Sequence, residues 1–142
     1  MLDQTRRFFL AALPVAAFVI LTASGAGASD MGLTRAKVPF AFELNGRHFD
    51  AGIYTLRAQW GSGIITLVPE QGSMHYFLGS PLGNRVEPSD PRLVFYMVDD
   101  KYYLAEVWFS GSGAGRKVPV KKEIEFTAKK GGVRRIEVAL SR

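Results

Sequence analysis

Bulky apolar residues alternate with smaller or polar ones along much of the chain after residue 37, which is the period of a β-strand. Residues 38–44 form the first such run. Asn45-Gly46 then supplies the residues that a type I′ turn needs, so a hairpin that returns through Phe49 is expected. Further strands are predicted over residues 53–60, 64–68, 74–78 and 133–140. Together these strands indicate an all-β or mainly β fold, either an antiparallel sandwich or a small barrel of seven or eight strands.

The strongest signal is a pair of long apolar runs, 92–98 and 101–109, joined by Asp99-Asp100. A two-residue turn at this point predicts that Leu93 pairs with Glu106. Both faces of the hairpin are apolar, so each should be covered by a helix, by the chain's own tail or by a partner, which includes a second copy in a homodimer. One predicted face carries Leu93, Phe95, Met97, Tyr102, Leu104, Glu106 and Trp108.

Three further segments complete the pattern. Residues 79–91 contain three prolines and two glycines and predict a long loop. The glycine-rich run 111–115 predicts a flexible connection, because its spacing fits neither a P-loop nor a dinucleotide fingerprint. Residues 119–130 suit a strand or a short helix. The Gly131-Gly132 stop favours the helix, which could cover one face of the hairpin.

The first 28 residues have the order of a cleavable signal peptide: a charged start ending in Arg6-Arg7, an apolar run, and small residues at 24–29. An uncleaved membrane anchor is the alternative, although the apolar run falls just short of the roughly 20 residues that span a bilayer. The predicted domains are therefore a signal peptide at 1–28, a flexible mature N-terminus at 29–37 and a single β-domain at 38–142.

The expected location is the periplasm or the extracellular space. Residues 5–10, around Arg6-Arg7, resemble a twin-arginine export signal, while the same two arginines also suit the positive start of a Sec signal. The chain has no cysteine, so its stability outside the cytoplasm must come from core packing and not from disulfides.

Charge is unevenly distributed along the chain, whose net charge is +5. Residues 29–115 carry seven Lys and Arg against nine Asp and Glu, whereas residues 116–142 carry nine against three. This basic tail could contact an anionic surface such as lipid headgroups, nucleic acid or a polyanionic glycan. A solvated sheet edge and terminus is the simpler interpretation.

Candidate catalytic and metal-binding chemistry is sparse. His48 and His75 stand far apart in the sequence without a cysteine or a third histidine, and we expect them to be surface or hairpin residues. No serine lies in a nucleophile-elbow context. No catalytic residue, metal ligand or cofactor is therefore predicted.

Glu106 is the one residue that breaks an apolar face of the predicted hairpin. Burying a carboxylate is costly unless it is paired, so one interpretation gives it a partner such as Arg57, Arg92 or a backbone amide at the rim of the sheet. The other makes Glu106 the polar anchor of an apolar pocket. The candidate ligand-binding residues are then Glu106, Trp108, Tyr102 and Phe95.

Several blocks of the mature chain form a recognisable pattern: Val38-Pro39-Phe40-Ala41-Phe42 with Gly46, Ala51-Gly52-Ile53-Tyr54, Leu93-Val94-Phe95, Tyr102-Tyr103-Leu104-Ala105-Glu106-Val107-Trp108 and Gly115-Arg116-Lys117-Val118-Pro119. In these blocks the chain resembles a group of small exported proteins frequent in soil acidobacteria. The tail after Pro119 departs most from that pattern. The resemblance implies an exported bacterial domain and carries over no functional residue.

The function expected from these features is binding without catalysis. The ligand would be an apolar small molecule held in the interior or an envelope protein held on the surface. The alternative is a small extracytoplasmic hydrolase whose site residues are too dispersed along the chain to recognise.

Overall fold

The computed structural model describes residues 33–59, 61–84, 90–109 and 114–141. The predicted signal peptide lies outside these residues, as does 111–113 of the glycine-rich run. The elements are β1 (Thr34–Val38), β2 (Phe42–Leu44), β3 (Arg47–Phe49), β4 (Gly52–Ala58), β5 (Ile64–Pro69), β6 (His75–Leu78), β7 (Ser80–Asn84), β8 (Arg92–Val98), β9 (Lys101–Trp108), β10 (Ala114–Lys117), α1 (Lys122–Lys129) and β11 (Arg134–Ser141).

The strands form one curled sheet, a half-barrel, in the order β3-β2-β9-β8-β11-β1-β4-β5-β6, with β10 joining β9 to β7. The predicted class, mainly β with one short helix, is confirmed. The finer prediction of seven or eight antiparallel strands is wrong, because the described chain has eleven strands and β2 pairs with β9 in parallel. Most of the additional strands are short or polar, which leaves little hydrophobic periodicity for a sequence to reveal.

The N-terminal boundary of the domain lies earlier than predicted. Residues 34–37 were expected to be flexible, yet β1 lies between β4 and β11 and buries Thr34, Ala36 and Val38 on one face. Thr and Ala give a weak apolar signal, so the alternation is hidden. The predicted strand 38–44 is interrupted as well, since the chain leaves β1 at Pro39 and resumes pairing only at β2.

The tight turns occur where their residues predict them. Asn45 and Gly46 have φ of 49° and 78°, as a type I′ hairpin requires, and they join β2 to β3. Asp99 and Asp100 have φ of 51° and 59° and join β8 to β9. At the other end of the domain, α1 lies within the predicted segment and is followed by Gly131 at φ 75°, a left-handed helix stop.

Two predicted connections contain strands. The loop predicted at 79–91 includes β7, and the flexible run predicted at 111–115 ends inside β10. These strands pair with each other, and the register shifts between Ala114 and Arg116, where Arg116 lies opposite Pro81. Proline is tolerated in an edge strand because its missing amide can face away from the ladder, so the proline content of 79–91 did not prevent pairing.

The register of the central hairpin changes halfway along it. Phe95 pairs with Leu104 as predicted, but Val94 pairs with Glu106, which leaves Ala105 as an extra residue in β9. This β-bulge corrects the predicted Leu93–Glu106 pair, because Leu93 lies opposite Val107. A bulge adds one residue to one strand, so every side chain beyond it exchanges faces relative to a regular ladder.

The concave side of the sheet holds the core, a cluster rich in aromatic rings. Its buried residues include Phe42, Leu44, Phe49, Tyr54, Leu56, Ile65, Leu67, Phe77, Leu93, Phe95, Leu104, Val107 and Phe109. Val94 and Ile124 are buried but lie outside this cluster, and α1 contacts β8, which places α1 on the convex side. Both apolar faces of the hairpin are thus covered within the chain. In the part of the chain described, no helix is long and apolar enough to cross a bilayer.

Candidate functional site

The bulge separates the four candidate ligand-binding residues. Phe95 and Tyr102 lie on the concave side, where Phe95 is fully buried and Tyr102 packs against the core. Glu106 and Trp108 lie on the convex side, beyond the extra residue of β9. The four side chains therefore do not line one pocket, and each pair needs its own explanation.

Glu106 belongs to an ion pair on the convex side. Its carboxylate accepts two hydrogen bonds from the Arg135 guanidinium, both of 3.1 Å, and a third of 2.8 Å from Trp108 Nε1. The Glu106 residue is only 8% exposed. The hydrogen bonds with Glu106 raise the pKa of Arg135 above its ordinary value, against the effect of partial burial. The partner comes from β11, and neither Arg57 nor Arg92, the arginines suggested by the sequence, fills this role.

Trp108 is held by its neighbours on the adjacent strands. The Arg92 guanidinium carbon lies 5.8 Å from the centroid of its ring, and Arg92 also approaches Glu137 of β11 at 3.2 Å. The ring covers Gly115 of β10 so closely that a Cβ there would lie 2.6 Å from ring atoms. These contacts connect β9 with β11 and β10. They favour the interpretation that Glu106 is a structural ion-pair partner over the interpretation that it anchors a ligand in an apolar pocket.

The concave side is filled by side chains where a barrel ligand would lie. Phe40 stacks on Tyr102 with ring centroids 3.8 Å apart, and Phe95 meets Phe40 and Phe42 edge to face at 5.0 and 5.2 Å. Edge-to-face and offset contacts at these distances are typical of a packed aromatic core. The clefts at His48, at Pro119 and at Met74 are each lined by residues other than Phe95 and Tyr102.

A cleft of about 430 Å³ lies at one end of the half-barrel, and both histidines contribute to it. His48 Nε2 is 3.8 Å from Asp50 Oδ1, and both side chains are largely exposed. The Tyr54 hydroxyl donates a hydrogen bond to the backbone carbonyl of Asp50, and burial, with the nearby Asp50 charge, raises the pKa of Tyr54. Within the described residues, no group of three His, Cys, Asp or Glu side chains is placed to hold a metal ion.

The first and last strands of the sheet order, β3 and β6, meet along a seam where side chains, and not backbone hydrogen bonds, make the contacts. Arg47 Nη1 of β3 lies 3.3 Å from His75 Nδ1 of β6, and since arginine can only donate, this histidine nitrogen accepts. The Phe49 and His75 rings meet edge to face at 4.9 Å. A cleft of about 270 Å³ opens beside these contacts. In the described chain, side chains span the seam, while β3 pairs only with β2 and β6 pairs only with β5.

Backbone hydrogen bonds alternate along an antiparallel pair of strands, and this alternation shows which β6 residues direct their backbone groups away from β5. Gly79 N donates to Gly63 O at 2.8 Å, so in this register Phe77 and His75 are the β6 residues bonded to β5. Tyr76 and Leu78 then direct their backbone N–H and C=O groups away from β5. A strand edge of this kind is a template for pairing with another chain.

The same two residues expose large apolar side chains. Tyr76 is 66% and Leu78 63% exposed, and both lie on the convex side, where Met74 before β6 is also exposed. We call Tyr76, Leu78 and the backbone edge between them the β6 edge. The strand predicted at 74–78 is present as β6, His75–Leu78. The sequence could not show that the strand ends the sheet, because that depends on long-range pairing.

Comparisons of the chain with protein-family models, with curated proteins and with solved structures found no match. The fold and the site alone therefore define the class of protein: a mainly β half-barrel whose interior is filled by side chains and whose apolar strand β6 pairs, among the described strands, only with β5.

Proposed function

We propose that this protein is an exported, non-enzymatic module that binds an extended segment of a partner polypeptide by strand addition at the β6 edge. The observation that carries the proposal is the coincidence of two features on the same residues. Tyr76 and Leu78 offer unpaired backbone groups and large exposed apolar side chains.

The chemistry of the edge suits an extended peptide. Backbone hydrogen bonds to Tyr76 and Leu78 would supply a register, and alternate side chains of the peptide would lie against those of Tyr76 and Leu78. Exposed edge strands are usually protected by charge, proline or a bulge. β6, with the sequence His-Tyr-Phe-Leu, contains no lysine, acidic residue or proline.

The other two functions considered have less support. An apolar ligand inside the half-barrel would have to displace the rings of Phe40, Phe95 and Tyr102, which contact one another. A hydrolase would use the cleft at His48 and Asp50, but those side chains are 68% and 94% exposed and 3.8 Å apart. A catalytic base needs a fixed, partly desolvated position to work.

A random peptide library selected on the purified protein tests strand addition. We expect the selected peptides to share alternating apolar residues and to lose binding at least tenfold to the double variant Tyr76→Asp, Leu78→Asp, since charged groups replace the apolar contacts. The matched control is Lys101→Asp, which changes the net charge by the same amount at an exposed position outside β6.

Backbone N-methylation of a selected peptide separates strand pairing from adhesion to an apolar surface. Methylating the peptide amides that face β6 should abolish binding, whereas methylating the alternate amides should not. Equal binding by the β6 variant, or no effect of methylation, would refute the proposal. A hydrolase would instead reveal itself by cleaving the bound peptides.

Export is part of the same proposal and has its own test. If residues 1–28 are a signal peptide, the protein recovered outside the cytoplasm should begin at or within a residue or two of Ser29, which intact-mass measurement reports. A mass that includes residues 1–28 would favour an uncleaved anchor.

A further inference from the structure

Helix α1 presents two different faces. Ile124 is its buried residue and points toward the sheet. At 100° per residue, Lys122, Phe126, Lys129 and Lys130 lie on one arc that is centred roughly opposite Ile124. We call these four residues the basic face of α1. It is the solvent side of a helix that itself lies on the convex side of the sheet.

The basic face has an exposed aromatic ring at its centre. Phe126 is 59% exposed, and Lys130 Nζ lies 4.2 Å from the centroid of its ring. A phenylalanine this exposed on a short helix contributes little to the fold of its own chain. Its surroundings are cationic, which is not the setting of an apolar protein interface, where charged residues are depleted.

Most of the charge on this face is not neutralised within the described chain. Two nearby carboxylates pair with other lysines: Glu125 Oε1 lies 2.6 Å from Lys117 Nζ, and Glu43 Oε2 lies 3.3 Å from Lys121 Nζ. Glu123 is exposed beside Lys130 at the border of the basic face, which leaves the face with a net positive charge. Lys129 shares Glu125 at a longer 3.7 Å. Among the described residues, no carboxylate lies within ion-pair distance of Lys122 or Lys130.

We propose that the basic face of α1 docks on an anionic lipid bilayer. The lysines would lie against the phosphate groups of the lipids, and Phe126 would enter the boundary between headgroups and acyl chains. Amphipathic helices that lie in the membrane interface have this composition, with Lys and Arg beside Phe, Trp or Leu. Juxtamembrane lysines are attracted by the negative surface potential of such a membrane.

The exposed Phe126 ring favours a lipid bilayer over a soluble polyanion as the partner of the basic face. A glycan or polyphosphate offers charge to the lysines but no apolar phase for Phe126. A bilayer offers both, and long lysine side chains can remain at headgroup level while the ring between them is inserted. The contribution of Phe126 therefore distinguishes the two kinds of partner.

Co-sedimentation of the purified protein with vesicles tests the proposal. The protein should bind vesicles of phosphatidylglycerol mixed with phosphatidylcholine, bind vesicles of phosphatidylcholine alone at least tenfold more weakly, and lose binding as salt is raised. Phe126→Ala should weaken binding about tenfold, which is the effect of removing one large apolar contact. Lys122→Gln with Lys130→Gln should weaken it about 20-fold.

The matched control is Lys101→Gln, which removes one exposed charge from the β8–β9 turn and should leave binding nearly unchanged. An uncharged β6 double variant, Tyr76→Gln with Leu78→Gln, should also bind vesicles normally, so failure of one proposal is distinguishable from failure of the other. Circular dichroism verifies that each variant is folded.

Three results would overturn the lipid proposal. One is equal binding to neutral and anionic vesicles. Another is a loss of binding in Lys101→Gln as large as that in the double lysine variant. The third is an undiminished affinity of Phe126→Ala combined with competition by soluble polyphosphate, which would identify α1 as a site for a soluble polyanion.

Discussion

At the scale of single residues, Ala105 determines which side of the sheet carries Glu106. As the extra residue of a bulge, Ala105 has no partner in β8, and its carbonyl instead accepts a hydrogen bond of 2.8 Å from Val118 N. This hydrogen bond also holds the segment that follows β10 against β9. One inserted residue turns a carboxylate that would face the core into the acceptor of a convex-side ion pair.

The Glu106 ion pair should contribute measurably to stability. Glu106→Ala should lower the free energy of unfolding by about 2 kcal/mol, because it leaves Trp108 Nε1 and the Arg135 guanidinium without their acceptor. Glu106→Gln keeps an acceptor oxygen for Trp108 and should cost about 1 kcal/mol. Chemical denaturation measures both changes.

Glu137 provides the control for that experiment. Its carboxylate also pairs with an arginine of the sheet, Arg92, but its side chain is 54% exposed. Glu137→Ala should therefore cost less than about 1 kcal/mol, against about 2 kcal/mol for Glu106→Ala. Equal costs at Glu106 and Glu137 would show that the buried position of Glu106 has no special importance.

Gly115 is required by the position of the Trp108 ring. Gly115→Ala places a Cβ 2.6 Å from that ring and should destabilise the protein by about 1 to 3 kcal/mol, since the indole has to move away from the Glu106 carboxylate. Gly52→Ala is the control, because its Cβ would meet only Tyr54, at 3.9 Å. A thermal melt of the two variants distinguishes them, and a tolerated Gly115→Ala would contradict the packing described.

At the scale of secondary structure elements, α1 is held to the sheet by both apolar and ionic contacts. Ile124 supplies the buried side chain, and Lys117 of β10 forms a 2.6 Å ion pair with Glu125. The hydrogen bond with Lys117, then its charge and that of Lys129, lower the pKa of Glu125 from its ordinary value. Lys117→Met should raise that pKa toward the ordinary carboxyl value.

Because the pKa of Glu125 is lowered in the folded protein, the contribution of its ion pair to stability depends on pH in a known direction. A carboxyl group whose pKa is lower in the folded state contributes stability above its unfolded pKa and loses it as the pH falls through the folded value. The carboxyl resonance of Glu125, followed by NMR during an acid titration, should move at higher pH in Lys117→Met than in wild type. Lys101→Gln is the control, and an unchanged midpoint in Lys117→Met would exclude the ion pair as the cause.

Much of the local structure could be predicted from the sequence, because the signals for turns and for strongly periodic strands are local. Asn45-Gly46, Asp99-Asp100 and the Gly131 stop are each read from a few neighbouring residues. The bulge at Ala105 and the pairing of β7 with β10 could not be predicted in this way. They depend on which distant strands meet, and the sequences of Ser80–Asn84 and Ala114–Lys117 are too poor in apolar residues to signal a strand.

The candidate site was harder to predict from the sequence than the fold. The sequence drew attention to Glu106, Trp108, Tyr102 and Phe95 because a regular hairpin would place them on one face, and the bulge divides them. The apolar pattern of residues 74–78 indicates a strand but not its neighbours, so the sequence could not show that β6 ends the sheet. The exposure of Tyr76 and Leu78 is a property of the whole topology, not of their own segment.

At the scale of the whole molecule, the described half-barrel combines an interior filled by side chains with edge strands, β3 and β6 among them, that pair on one side only. The side chains of Arg47 and Phe49 contact His75 at one point of the seam between β3 and β6, beside the cleft that Tyr76 lines. Binding is therefore expected on the outside, at the end strand and on the basic face of α1, and not within the barrel. The two surfaces lie on different elements and share no residue.

Backbone amide hydrogen exchange along β6 tests the central claim most directly. In the free protein, the amide of Phe77 should exchange slowly because it bonds to β5, whereas the amides of Tyr76 and Leu78 should exchange much faster. Adding a peptide selected on the wild-type protein should slow exchange at Tyr76 and Leu78. If these two amides are already as protected as Phe77 in the free protein, or stay unprotected with the peptide bound, β6 is not a free edge that accepts a strand.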